Sequence, residues 1–216
     1  MKLSQLLPAA IILAILTSSS LAEERKSVSK KPEAATEKSA KKPPKLERCE
    51  VGSIRQIHRL GKVYLAGQPS PEDFRIAKKD GLKTVINLRT KPELTFDEAA
   101  HLKSLGIEYH HVPFRSPDTL TDKVFDSVRK VLNEKKKHPV MVHCASANRV
   151  GAVWLAHRVL DADVKYEAAL KEAEAVGLRT PAFEDRAKAY IDATIKKREA
   201  VKKREAVKNE EERRKK

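Results

Sequence analysis

The sequence predicts an α/β fold, a central and mostly parallel sheet flanked by helices. Three observations lead there. Short apolar segments alternate with capped helical segments between residues 63 and 195. One of those segments, Pro139-Val140-Met141-Val142-His143, is apolar until its last residue, as a strand covered on both faces must be. The charge is also partitioned. Of the formal +15 carried by 216 residues, the stretches 1–46, 47–195 and 196–216 hold excesses of +5, +4 and +6. The middle is therefore a near-neutral globular sequence between two basic tails. A dedicated nucleic-acid-binding domain, whose charge would sit on the folded part, is excluded on that ground.

Taken in order, the chain opens on Lys2 and an apolar run from Leu6 to Leu16. Ser20-Leu21-Ala22 follows, with the small-x-small form of a signal-peptidase site. The run is shorter than the roughly 20 residues a bilayer span needs. Residues 1–22 read as a cleaved secretory signal, and the protein as exported, periplasmic or extracellular. The alternative on the same pattern is an uncleaved N-terminal membrane anchor. Residues 23–46, rich in Lys, Glu, Ala, Ser and Pro, bury too little to offset their ordering entropy and read as a disordered basic linker.

The domain is expected over 47–195. Val63-Tyr64-Leu65 is a short strand. Ser70-Pro71-Glu72-Asp73 starts a helix, with Ser70 as N-cap and Pro71 in the first turn, and Gly81 ends it. Thr84 to Leu88 is a buried strand; Arg89 either faces the site or, as the favoured reading, ends the strand in a salt bridge. Thr95-Phe96-Asp97-Glu98 reads as a capping box whose helix ends at Gly106. Ile107 to Val112 is a strand, which puts His110 and His111 on opposite faces and makes them a poor metal pair. A loop with Pro113 and Pro117 leads to a helix over 121–136, then to the strand 139–143 and a helix over 150–160 with Trp154 in the core. Helices over 166–176 and 181–195 follow. The tail 196–216 repeats Lys-Lys-Arg-Glu-Ala-Val and reads as a charged helical or disordered extension. It is a solvated face or a contact for acidic polymers or an anionic membrane surface.

In α/β folds ligands bind beyond the carboxyl ends of the strands. The end of strand 139–143 reads His143-Cys144-Ala145-Ser146-Ala147-Asn148-Arg149-Val150-Gly151. A cysteine at a strand end, small residues in a short loop and an arginine at a helix start form a nucleophile with an anion cradle. Loop amides and the helix N-terminus attract an oxyanion, and the same field favours the thiolate. Arg149 offers a planar two-pronged grip. Export would put Cys49 and Cys144 in an oxidising place. They then form one disulfide, or Cys144 is reactive and Cys49 is buried or a redox partner. No metal-ligand spacing occurs among the seven histidines, and the chemistry needs no cofactor.

His143-Cys144 with Arg149-x-Gly151 resembles the active loop of the cysteine-dependent protein tyrosine and dual-specificity phosphatases. Together with Tyr64-Leu65-Ala66-Gly67-Gln68-Pro69-Ser70 and Thr84-Val85-Ile86-Asn87-Leu88-Arg89, it resembles the phosphatase-like domain of the beta-lactamase-hydrolase-like family over about residues 50–192. The resemblance implies a tyrosine-phosphatase-like fold and hydrolysis of phosphomonoesters, protein phosphotyrosine among them. Cys144 would attack phosphorus and Arg149 would stabilise the transition state. Asp118 would serve as general acid, with Asp122 in reserve. His143 would hold the loop and help keep Cys144 ionised, and His143, Ala145, Ser146, Ala147 and Asn148 would form the binding loop. Three positions depart from the pattern. Four residues separate Cys144 from Arg149 instead of five. Ala147 stands where a glycine is usual, with Asn148 tolerant of a left-handed conformation. Val150 replaces the hydroxyl residue after the arginine. The short loop also matches rhodanese-like sulfur transfer, and the departures admit a catalytically silent oxyanion-binding module. The partner implied is a phosphorylated substrate of unspecified type.

Overall fold

The computed structural model describes residues 44–215. The expected signal, and the linker up to residue 43, lie outside the described residues. Twelve regular elements follow in chain order: β1 (Glu47–Arg48), β2 (Ile57–Leu60), β3 (Val63–Ala66), α1 (Pro71–Lys79), β4 (Thr84–Asn87), α2 (Glu98–Ser104), β5 (Glu108–His111), α3 (Asp122–Asn133), β6 (Val140–His143), α4 (Asn148–Ala162), α5 (Tyr166–Val176) and α6 (Pro181–Arg214). Short 3-10 turns occupy Lys91–Glu93, Pro117–Thr119 and Lys135–Lys137. No helix among the described residues is long and apolar enough to cross a membrane.

The six strands lie in the order β1-β2-β3-β6-β4-β5. The sheet is mixed. Its β1/β2 and β2/β3 joins are antiparallel, and β3/β6, β6/β4 and β4/β5 are parallel. The parallel part is the one expected from the alternating pattern. The antiparallel edge was not expected, because β1 is two residues long and β2 mixes two apolar with two polar residues.

Strand geometry divides the core. Successive side chains point to opposite faces. Val140 and Val142 of β6, with Ile86 of β4 and Leu65 of β3, meet α3, α4, α5 and α6. Met141, Val85 and Ala66 meet Phe74 of α1 and Leu102 of α2. Residue 143 therefore faces α1 and α2, and residue 144 faces the four-helix side.

Local signals set the helices. Ser70 accepts from the Asp73 amide at 3.2 Å, and the Asp73 carboxylate accepts from the Ser70 amide at 2.8 Å, which closes a capping box. Asp73 also accepts from the Ser53 amide at 2.6 Å and so ties the turn before β2 to α1. α2 begins later than expected: its N-cap is Asp97, accepting from the Ala100 amide at 2.9 Å. The T-x-x-E box forms instead one motif earlier, where Thr90 donates from its amide and its hydroxyl to Glu93 at 2.8 and 2.7 Å. α4 packs closely on the segment after α5. A Cβ at Gly151 would come within 2.7 Å of the Leu178 side chain and 2.8 Å of the Ala173 carbonyl, so only glycine fits. Arg129 of α3 clamps Asp161 of α4 at 2.6 and 2.7 Å and reaches the Tyr190 hydroxyl of α6, joining the three helices.

Candidate active site

β6 lies between β3 and β4, so the residue after it sits in the middle of the sheet's carboxyl edge. The Leu88 amide donates to the His143 carbonyl at 3.0 Å, and the Cys144 amide donates to the Ala66 carbonyl at 3.3 Å. Both neighbouring strands thus pin the start of the loop. Cys144 is buried on the four-helix face. Ala145 and Ser146 are exposed, and α4 starts at Asn148. The amides of Ala145 and Ser146 find no acceptor among the described residues. The amides of the first turn of α4 have no intrahelical acceptor either, so the dipole and its free donors face the loop.

His143 turns the other way. It is fully buried, with Nε2 2.8 Å from Glu98 Oε1 and its ring edge against Phe74. Of its two expected roles, holding the loop fits this position behind it, whereas a side chain buried on this face does not reach a ligand in the loop. Its partner Glu98, expected as part of a helix cap, is buried because it serves this histidine.

Arg149 has a different environment from the one expected. Both prongs of its guanidinium hold Glu93, Nη2 to Oε1 at 2.6 Å and Nη1 to Oε2 at 3.0 Å. Nη1 also donates to the carbonyls of Leu88 at 3.1 Å and Phe114 at 2.8 Å. The free two-pronged grip is therefore replaced by a fixed one, in which a carboxylate offsets the cost of burying this cation. Burial works against its charge. Its interactions with Glu93, which accepts two hydrogen bonds from it, and the charge of Cys144 more than offset this and hold its pKa above the ordinary guanidinium value. Arg149 in turn holds the Glu93 carboxyl down to a pKa of about 2.

Ala147 itself takes the left-handed conformation, φ 61° and ψ −3°, in place of the tolerance assigned to Asn148. Asn148 is a tie: Nδ2 donates to Thr180 Oγ1 at 2.7 Å, and Oδ1 accepts from the Arg179 amide at 2.9 Å. Arg179 returns to the loop through Nη2, 2.7 Å from Ser146 Oγ.

Asp118 lies in the 3-10 turn Pro117–Thr119. It is exposed and has no hydrogen-bond partner among the described residues. Its loop is anchored four residues upstream by the Phe114 carbonyl on Arg149. Asp122 is paired with Arg186 at the start of α3. Arg89 is buried without a salt bridge among the described residues, contrary to expectation. Its Nη1 donates to Gln68 Oε1 at 2.5 Å. The two cysteines are free. Trp154 is in the core, and His110 and His111 turn to separate partners, Glu108 Oε1 and the Arg89 carbonyl.

Sequence reasoning missed Glu93, Glu98, Gln68 and Arg179. The two glutamates carried a signal in the paired T-x-x-E motifs, of which only Thr95-Phe96-Asp97-Glu98 was read, and that as a helix cap.

Comparison with known proteins follows the same outline. The model of the tyrosine phosphatase family matches residues 55–162. An inositol diphosphatase of Arabidopsis thaliana, DSP3, is 35% identical over 89 residues, 38% of this chain and 42% of that protein. The chain thus spans less than half the length of that relative. TpbA of P. aeruginosa, solved with phosphotyrosine, superposes with a TM-score of 0.55 at 21% identity, covering 70% of this chain and 90% of that one. The catalytic core of the PP-IP phosphatase SIW14 from S. cerevisiae, solved with citrate, gives 0.59 at 17% identity over 71% and 96%.

Proposed function

The chain belongs to the tyrosine phosphatase family, and on that premise we propose that it is a cysteine-dependent phosphatase hydrolysing phosphomonoesters. The observation that carries this reading is the position of Cys144 at the end of the central strand, on one short loop with an arginine locked by Glu93 at the amide-rich start of α4. In the first step the Cys144 sulfur bonds to phosphorus and the ester P–O bond breaks. The leaving oxygen takes a proton from a general acid. In the second step water attacks the phosphocysteine, the S–P bond breaks, and phosphate leaves with the thiolate restored. Arg149 and the loop amides meet the charge on the equatorial oxygens. Asp118 fits the acid: it is exposed and unengaged, on a loop tethered to Arg149, whereas Asp122 is committed to Arg186. Phosphotyrosine in the TpbA complex and the diphosphatase name of DSP3 support phosphoryl compounds as the substrate class. The N-terminal apolar run and Ser20-Leu21-Ala22 support export with cleavage after Ala22, and the basic tails support contact with acidic polymers or an anionic surface.

Release of p-nitrophenol from its phosphate ester by the purified chain tests the activity. Cys144→Ser is expected to abolish it, and Asp118→Asn to lower it about 100-fold, the range of a lost general acid. Equal rates for the wild type and Cys144→Ser would remove the proposal. The four-residue loop favours sulfur transfer as the second reading. Thiocyanate formation from thiosulfate and cyanide, with a persulfide on Cys144 by intact mass, would replace the first reading with it.

A further inference from the structure

Gln68 and Arg89 each stand two residues past a strand, β3 and β4, and these strands flank β6. Two strand spacings amount to roughly 9.6 Å. The hydrogen bond from Arg89 Nη1 to Gln68 Oε1 at 2.5 Å therefore spans the carboxyl end of β6, where the Cys144 loop begins. Gln68 also holds that loop directly, since its amide donates to the Ala145 carbonyl at 3.2 Å. In a trans peptide the carbonyl and the following N–H point opposite ways. The Ser146 amide is thus turned away from Gln68, and it has no acceptor among the described residues.

Arg89 is 6% exposed, its Nε has no partner, and it forms no salt bridge among the described residues. Other arginines of the fold show the contrast: Arg129, Arg149, Arg158 and Arg186 each hold an Asp or Glu. The glutamates on the segment after Arg89 are committed elsewhere, Glu93 to Arg149 and Glu98 to His143. A cation withdrawn from water needs a matching charge. Arg89 is not on the wall of the cavity that Gln68, Ala145 and Ser146 line, so it acts on the loop without touching what the cavity admits.

We propose that Arg89 is a positioning residue of the Cys144 loop: through Gln68 it fixes the peptide that presents the Ser146 amide, and its charge answers the anion held in that loop. The proposal rests on the reading of Cys144 as the phosphoryl-accepting sulfur. It also gives the segments Tyr64–Ser70 and Thr84–Arg89 a joint role, each supplying one half of a bridge over the strand that carries the sulfur.

The test compares the full chain with Arg89→Met and Arg89→Lys near neutral pH. Cys144 is alkylated with iodoacetate or with iodoacetamide, reagents of similar size that differ by one negative charge, and each adduct is followed by peptide mass. The ratio of the two rates cancels the reactivity and access of the sulfur and leaves the attraction of the loop for an anion. Cys49, which packs with the core on the α1–α2 face, is the internal control. Arg89→Met is expected to lower the ratio at Cys144 about fivefold, the order expected of one charge in a partly buried site, and to leave the ratio at Cys49 unchanged. Arg89→Lys restores the charge and is expected to keep most of the ratio. Methionine removes an unpaired buried cation, so the urea midpoint is expected to stay or rise. An arginine of merely structural role would show the reverse, a lower midpoint and an unchanged ratio. Should Arg89→Met not fold, Arg89→Gln gives the same reading with a polar head in place. A ratio at Cys144 that ignores the charge at position 89 would overturn the proposal. So would a fall in Arg89→Lys as deep as in Arg89→Met, an equal fall at Cys49, or a wild type whose Cys144 takes neither reagent or shows no preference for iodoacetate. Hydrolysis of p-nitrophenyl phosphate separates this from the reading beneath it. Turnover with an indifferent ratio sinks the role of Arg89 alone, whereas a ratio that follows the charge in a chain without turnover sinks the phosphatase reading alone.

Discussion

Glu93 decides what Arg149 is. An arginine on the first turn of a helix would swing toward solvent if nothing held it, and its burial would otherwise be too costly. The bidentate contact at 2.6 and 3.0 Å fixes the plane of the guanidinium at the end of the Cys144 loop. Glu93→Gln keeps the shape and removes the charge, so the buried cation loses its counterion. Breaking such a pair from one side costs about 3 kcal/mol. The variant is expected to unfold at lower urea than the wild type at neutral pH and to lose turnover of an aryl phosphate at least tenfold. The pH dependence has a defined sign. A carboxyl lowered from 4.5 to about 2 contributes stability that is present above 4.5 and lost as pH falls toward 2. The urea midpoints of wild type and variant should therefore converge over that window; a gap of constant size would place the stabilisation elsewhere. Ala147 shows a second balance. A left-handed alanine costs about 1–2 kcal/mol. A glycine there would relieve this, but would give back about 0.8 kcal/mol of methyl burial and a further 0.5–1 kcal/mol of chain entropy. The two sides nearly cancel, which accounts physically for an alanine where the family pattern has glycine. The fit also needs Gly177, where an added Cβ would come within 3.2 Å of the Ala147 methyl.

Elements whose signal lies within a few neighbours were legible. Ser70-Pro71-x-Asp73 starts α1 where the sequence places it, β4, β5 and β6 fall within the expected segments, and β3 exceeds its own by Ala66. The Cys144-to-Arg149 loop was legible for the same reason, since strand, loop and helix start are contiguous. What sequence could not show was pairing at a distance. The two T-x-x-E motifs look alike, yet Glu93 is drawn to Arg149 and Glu98 to His143, partners 56 and 45 residues away. Arg179 and Gln68 reach the loop region only because the fold brings α5 and β3 beside it. α6 separates local from tertiary stability within one helix. Up to Ile191 it is held by buried Phe183, Ala187, Tyr190 and Ile191, and Arg198 still donates to the Leu160 carbonyl at 2.7 Å. From residue 199 onward the helix is exposed, with charged pairs only along its own face. Ending the chain after Arg198 is expected to change the unfolding free energy by less than about 0.5 kcal/mol, as for surface changes generally. Ending it after Ala189 removes Tyr190 and Ile191 and should leave little folded protein at the same temperature. A large loss from the longer truncation product, read by urea denaturation, would mean the charged segment packs on the domain.

The whole molecule keeps its two sulfurs apart. Cys144 belongs to the core between the sheet and α3–α6, whereas Cys49 packs with the core on the α1–α2 face. Cys49 also follows the edge strand β1, which is three strand positions from β6 in the sheet order. Three inter-strand spacings amount to roughly 14 Å, and a disulfide needs Cα atoms within about 7 Å. Burial pushes the Cys49 thiol up, against the pull of Arg59, which lowers its reactivity further. A bond between them would require β1 and β2 to leave the sheet. The phosphocysteine chemistry proposed for Cys144 needs that sulfur unpaired, so the same separation that forbids the disulfide would protect the nucleophile in the oxidising compartment to which the proposed export leads. Intact mass of the secreted chain after mild diamide treatment reads both consequences at once. The expected mass begins at Glu23 and carries no internal disulfide under native conditions, whereas the same treatment in urea closes the Cys49–Cys144 bond. A native chain that loses two hydrogens and stays folded would contradict the placement of the cysteines on opposite faces. A mass that retains residues 1–22 would replace export and cleavage with the uncleaved anchor.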